Sequence, residues 1–325
     1  MRLWLSLGLV ALATLSSACG SAREVRTYRC RIAVIPKGTT HEFWKSIHAG
    51  AEAAARELGV EVIWKGPQKE DDRDEQIKVV EDFVTRGVDG IVIAPLDDKA
   101  LARPLQDAKD QGIPVIVIDS DVVWPERVSF IATDNYAGGA MGAQELGRLL
   151  GGKGRVLMMR YVIGSASTME REQGFLDELR AKFPQIELLS ENQYAGAGNE
   201  SAYRTSENLL NKFPEVEGIF CPNESALFGM LRALQDGGKA GQVKLVGFDA
   251  TEKLVAALTA GELHALIVQN PVAMGDLGLR RMVDHLDGKA VEPRIDTGVV
   301  LVTRENMHEP AIAQILSPDL SILAE

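Results

Sequence analysis

The side chains best able to do chemistry in this sequence stand just past the ends of short apolar runs. The run 32–36 is followed by His41, Glu42, Phe43 and Trp44, and the run 115–118 by Asp119, Ser120 and Asp121. The run 156–160 leads, after a loop, to Ser165, Ser167, Glu170 and Arg171. Asn223 and Glu224 follow 219–221, Phe248 and Asp249 follow 245–247, and Gln269 and Asn270 follow 266–268. Carboxylates, amides and a guanidinium hold hydrogen-bonding atoms in fixed planes, and so satisfy hydroxyls that donate and accept at once. Rings such as Phe43 and Trp44 offer a surface to C–H faces. Together they fit a polyhydroxylated small molecule.

Each residue also has a structural reading. Phe43 and Trp44 would suit a core, although two adjacent rings at a helix start cannot both point inward. Asp119, Asn223 and Asp249 would suit turns or caps, and Arg171 a solvated salt bridge. His41 and Lys37 are read as equally at home in solvent, Lys37 more so. Ligand binding is favoured because these residue types recur at one strand end after another.

Those strand ends need a scaffold. From residue 31 the sequence alternates apolar runs with amphipathic segments, for example strand 32–36 and a helix opened by Phe43-Trp44, spaced through Ile47, Ala51, Ala54 and Leu58 and stopped by Gly59. A helix is expected from Asp97 as N-cap through Leu101 and Leu105, and the same scheme continues to a last run at 299–302. Continuous apolar strands between helices predict parallel sheets covered on both faces, here two βα-repeat units side by side. In such sheets ligands bind beyond the carboxyl ends of the strands.

The bulk numbers agree with this scaffold. The chain has 325 residues, enough for about two domains. It is 46% hydrophobic and 25% charged, as soluble globular proteins are. A net charge of −11 with no concentrated basic run argues against nucleic acid as a partner. Phosphate-loop, nucleophile-elbow and zinc-ligand spacings are absent. Gly196-Ala197-Gly198 lacks the third glycine of a dinucleotide fingerprint. Asp119 and Asp249 leave glycoside hydrolysis as a minor reading. The expectation is a binding protein, not an enzyme, with no cofactor and no metal.

Residues 1–18 read as a signal peptide: Met1-Arg2, an apolar stretch from Leu3 to Leu15, then small residues. Cys19 before Gly20-Ser21 resembles the acceptor of a bacterial lipoprotein signal, although Leu15 stands one place further from it than usual. A chain lipidated at Cys19 touches the membrane only through that anchor. Residues 19–30 read as a linker. Cys30 and Cys221 are read as small buried hydrophobes.

At this point the sequence resembles a family. Val246-Gly247-Phe248-Asp249, Ile131-Ala132-Thr133-Asp134-Asn135 with Gly138-Gly139, Leu231–Gln235 and Glu170-Arg171-Glu172-Gln173-Gly174-Phe175 look like the ribose-type periplasmic sugar-binding proteins, over nearly the whole chain from Arg31. The resemblance implies a type I binding-protein fold: two Rossmann-like lobes joined by a three-segment hinge. It implies lobes of residues 31–133 with 270–296 and of 134–269 with 297–325. It implies a sugar or polyol clamped between them and delivered to an ABC permease by an exported, monomeric protein of the periplasm or cell envelope.

The implied ligand residues are His41, Phe43, Trp44, Asp119, Ser120, Arg171, Asn223, Phe248, Asp249 and Gln269. Three departures from ribose-specific members stand out. His41-Glu42 replaces Asn-Pro, Ser120 replaces an arginine, and Ala195–Gly198 lacks an aromatic residue. A sugar of another size, a sugar alcohol or a derivative is therefore as fitting as ribose. The same fold also serves as a sensory module for a chemoreceptor or kinase, a choice the sequence leaves open. A lac-type repressor would need a helix-turn-helix where the export signal stands.

Overall fold

Runs of Val, Ile and Ala too short for a helix become strands, and the longer segments between them become helices with one apolar stripe. A computed structural model describes residues 28–324. The signal segment, Cys19 and most of the 19–30 linker lie outside the described residues.

The first part of the chain alternates β1 (Arg31–Ile35), α1 (Glu42–Leu58), β2 (Glu61–Trp64), α2 (Arg73–Arg86), β3 (Gly90–Ile93), α3 (Ala102–Asp110), β4 (Val115–Ile118) and β5 (Ser129–Ala132). The second continues with α4 (Asn135–Leu149), β6 (Lys153–Arg160), α5 (Ala166–Lys182), β7 (Gln185–Tyr194), α6 (Asn199–Lys212), β8 (Gly218–Cys221), α7 (Glu224–Asp236), β9 (Lys244–Phe248), α8 (Glu252–Ala260) and β10 (Ala265–Gln269). Then come α9 (Pro271–Leu286), β11 (Arg294–Asp296), β12 (Val299–Val302), α10 (Pro310–Leu316) and a 3₁₀ turn, Ser321–Ala324.

The strands form two six-stranded sheets with matching orders, β2-β1-β3-β4-β5-β11 and β7-β6-β8-β9-β10-β12. In each, strand order reverses beside the first strand, at β1/β3 and at β6/β8, which is where open α/β sheets bind ligands. The chain passes between sheets after β5, after β10 and between β11 and β12, so α9 follows β10 yet packs on α1 of the first sheet.

The two sheets are parallel as expected, except that the edge strand β12 of the second pairs antiparallel with β10. The cause is the connection. β11 leaves the first sheet at the cleft end, and Thr297-Gly298, with Gly298 at φ 79°, turns the chain directly into the second. It thus enters at the end where the parallel strands leave.

Other departures are local. Helix α3 begins at Ala102 rather than after Asp97, whose Oδ1 instead accepts from the amides of Lys99 (2.9 Å) and Ala100 (2.8 Å) in a turn. Cys221 is buried, but Cys30 is only partly so, because it precedes β1. β11 and α10 were not anticipated. The Ser321–Ala324 turn returns to the first lobe, where Arg56 Nη2 donates to Ile322 O at 3.0 Å, whereas the sequence reading placed the whole C-terminal segment with the second.

One helix pair, α4 and α5, brings backbones of the site together. A Cβ on Gly139 of α4 would lie 2.0 Å from Arg171 O of α5, and one on Gly174 of α5 would lie 2.1 Å from Tyr136 O of α4. Real Cβ atoms do not approach so closely, so only glycine permits this crossing.

Candidate functional site

The strand ends of the two sheets face each other across a small cavity of about 30 Å3. Its lining is Lys37, His41, Phe43, Trp44, Glu70 and Asp119 from the first lobe, and Tyr161, Ser167, Thr168, Arg171, Asn223, Glu224, Asp249 and Gln269 from the second. His41 and Glu224 also line a wider groove of about 710 Å3 outside it.

Backbone geometry aims these groups. Asp119 and Asp249, each directly after a strand, are the described non-glycine residues with positive φ, 60° and 74°. That left-handed turn is tolerated best by Asn and Asp. Asp249 Oδ1 accepts from Gln269 Nε2 (2.6 Å) and Oδ2 from Glu224 N (3.0 Å). Burial raises the Asp249 carboxyl above its usual range, opposed by the charge of Arg171. Asn223 caps α7 through Ala226 N at 3.4 Å.

Arg171 is held on three sides. Nε donates to Asn135 Oδ1 (2.8 Å), Nη1 donates to Pro222 O (3.0 Å), and the guanidinium lies 4.2 Å over the Phe248 ring. Nη2 has no hydrogen-bond partner, nor has Gln269 Oε1, although both are buried. Buried polar atoms are seldom left so. One donor and one acceptor therefore stand ready in residues that line one cavity.

Contacts across the cleft are numerous. Lys37 Nζ pairs with Asp119 Oδ2 at 3.1 Å and donates to Ser167 Oγ (2.9 Å) and Ser165 Oγ (3.2 Å) of the other lobe. Glu224 accepts from the amides of Phe43 (3.2 Å) and Glu42 (3.4 Å) at the start of α1, where His41 provides no side-chain cap. A carboxylate of one lobe thus caps a helix of the other. Burial pushes Glu224 up to about 7, with the charge of His41 opposing.

A model of the periplasmic binding protein domain matches residues 32–290. The chain belongs to the periplasmic binding protein family. It is 30% identical over 295 residues to the ribose import binding protein of Haemophilus influenzae, covering 91% of this chain and 96% of that one. It is 31% identical over 268 residues to the D-allose-binding periplasmic protein of Escherichia coli, covering 80% and 86%. The crystal structure of a carbohydrate transporter solute-binding protein from Agrobacterium radiobacter, in complex with D-arabinose, superposes with a TM-score of 0.86 at 32% identity, covering 89% and 99%. The two-lobed α/β architecture is the type I periplasmic binding protein fold.

Within this periplasmic binding protein, the cavity gathers His41, Phe43, Trp44, Asp119, Arg171, Asn223, Asp249 and Gln269 from the residues read out of the sequence. Two others stand behind it. Ser120 Oγ accepts from Ser167 N at 3.1 Å, linking the lobes, and Phe248 lies beneath Arg171 and against Gly138. Their strand-end positions are as expected, but each supports a lining residue and neither lines the cavity itself. Phe43 and Trp44 meet edge to face, centroids 5.0 Å apart, with Trp44 buried and Phe43 partly exposed. Lys37, read as solvated, is buried beside Asp119. Glu70, Tyr161 and Thr168 also line the cavity and were not expected there, while Ser167 and Glu224 were read at strand ends but not among the ligand residues. Glu224 carried a usable signal, since it follows Asn223 directly at the end of β8.

Proposed function

We propose that this protein is the extracytoplasmic solute-binding component of an ABC importer, capturing a sugar or polyol between its lobes without turning it over. The observation that carries the reading is the unpartnered pair Arg171 Nη2 and Gln269 Oε1, on residues that share a cavity with Phe43 and Trp44. A sugar oxygen that accepts from one and a hydroxyl that donates to the other would satisfy both. Relatives named for ribose and allose import or binding support the class of ligand.

The proposal extends to the lobe boundaries, with the Ser321–Ala324 turn set against the first lobe, and to export by the residue 1–18 signal, anchoring through lipidated Cys19, and action as a monomer. In mechanism, a cavity of about 30 Å3 admits no sugar ring as it stands. Sugar enters when the lobes separate, bridges them, and shifts the equilibrium by binding the closed state better. The closed pair of lobes is the form offered to the permease.

A thermal-shift screen with D-ribose, D-allose, D-arabinose, other hexoses and polyols tests the reading. A binding sugar at a hundred times its Kd adds about 2.7 kcal/mol of stability, a Tm rise of several degrees. No shift with any of them would refute it.

Closure should also be proton-linked. Glu224 sits at about 7 in the closed site, above its ordinary 4.5, so closing takes up a proton between those values. Its contribution is full at the acid end of that window and is lost as pH rises through 7. Sugar affinity should therefore fall, by about threefold or more, between pH 5 and pH 7.5. Calorimetric titrations across that range, with Glu224→Gln as the flattened control, check the sign.

A further inference from the structure

Glu70 lies in the turn between β2 and α2, yet its carboxylate is buried where three other cavity residues meet. Oε1 accepts from Trp44 Nε1 at 2.6 Å and pairs with His41 Nδ1 at 2.5 Å. Oε2 accepts from the Tyr161 hydroxyl at 2.9 Å. His41 and Trp44 come from the start of α1 in one lobe; Tyr161 follows β6 in the other. The chain makes room for this carboxylate: a Cβ on Gly38 would come within 2.8 Å of Glu70 Cγ. With both oxygens engaged, Glu70 governs where its partners stand.

We propose that Glu70 is the positioning residue of this site, fixing the His41 and Trp44 rings beside the cavity and, by receiving Tyr161 when the lobes meet, making closure and completion of the site one event. This rests on the sugar-binding reading above and names the residue that couples binding to closure.

The electrostatics fit the geometry. Burial alone would push Glu70 up, but the charge and hydrogen bond of His41, with Lys37 and the Trp44 donor, hold it down to about 2. Burial alone would lower His41; the charge and hydrogen bond of Glu70, with the charges of Glu224 and Asp249, raise it to about 9. Burial and then Glu70 keep the Tyr161 phenol protonated. His41 is thus a cation whose Nδ1 is committed to Glu70. Its stabilising contribution is full below 6.5 and is lost as pH rises through 9.

The test uses the full chain, Glu70→Gln and Tyr161→Phe. The His41 ring is titrated by NMR without sugar, and D-ribose, D-allose and D-arabinose are titrated by calorimetry. In Glu70→Gln the His41 midpoint should move down by about a unit or more, and Kd for the tightest of the three sugars should rise about tenfold or more. Tyr161→Phe should raise Kd about fivefold while leaving the His41 midpoint in place. An unmoved His41 midpoint in Glu70→Gln, or Kd values within twofold of wild type in both variants, would overturn the proposal. Should Glu70→Gln fail to fold, Tyr161→Phe decides it by Kd. Failure of the wild type to bind any of the three sugars counts against the sugar reading, and the His41 titration still decides the role of Glu70.

Discussion

Arg171→Ala is expected to abolish saturable sugar binding while the protein stays folded. The guanidinium is only 2% exposed and anchored by Asn135 and Pro222, so Nη2 is held in place before any ligand arrives. A pre-placed charged donor loses little entropy on binding, and a hydrogen bond to it is worth about 1.5–3 kcal/mol. Truncation also leaves Asn135 Oδ1 and Pro222 O unpaired and strips the cation from Phe248. The combined loss is about 3 kcal/mol or more, over two orders of magnitude in Kd. Arg171→Lys should recover little, because an ammonium cannot reproduce the planar fork that reaches Asn135, Pro222 and the cavity together. Calorimetry with the tightest-binding sugar measures the loss, and circular dichroism checks the fold. An unchanged Kd in Arg171→Ala would remove Arg171 from the site.

Gly139→Ala is expected to damage stability and binding together, although Gly139 lines no part of the cavity. Its added methyl would stand 2.0 Å from Arg171 O, a backbone atom that cannot swing aside. Helix α5 must shift relative to α4, and the residue displaced first is Arg171 itself. Overpacking of this kind costs about 1–3 kcal/mol, and backbone contact puts this case at or above the upper end. Urea unfolding should show that loss, with Kd weakened about tenfold or more as Arg171 moves. Gly198→Ala is the control. Nothing lies within 4 Å of its added Cβ, so both quantities should stay near wild type. Equal behaviour of the two variants would contradict the close-crossing account.

How much of this was legible beforehand follows from the physics of parallel sheets. Asp119, Arg171, Asn223, Asp249 and Gln269 were readable because a βα-repeat places every strand's carboxyl end on one side. Polar residues directly after apolar runs therefore converge whatever the loops do, and Arg171, beyond a loop in α5, was reached through the family resemblance. The same rule misplaced Ser120 and Phe248. A strand end says which residues come near, while the turn after it decides which side chain faces in, and the positive φ of Asp119 and Asp249 is not written in residue type alone. Lys37 misled because a lysine after a strand is normally solvated. Here Asp119 and two serines of the opposite lobe make burial tolerable.

Glu70 had no local signal, whereas Tyr161 directly follows β6 and carried the same strand-end signal as Asp119. Glu70 lies in a turn beyond an edge strand, and its hydrogen bond with Tyr161 joins residues 91 positions apart across two lobes. β11 was hard for a related reason, whereas the run of β12 at 299–302 was read and only its direction was not. A three-residue strand carries almost no periodicity, and the antiparallel entry of β12 comes from a chain crossing between sheets.

The central claim is that a sugar is held between the lobes by these strand-end residues. A crystal structure grown with the tightest-binding sugar of the screen tests it most directly. The account predicts the sugar in the central cavity, one oxygen within hydrogen-bond distance of Arg171 Nη2, another hydroxyl on Gln269 Oε1, and a ring face on Phe43 or Trp44. A sugar seated instead in the outer groove beyond His41 and Glu224, with Arg171 and Gln269 untouched, would contradict it.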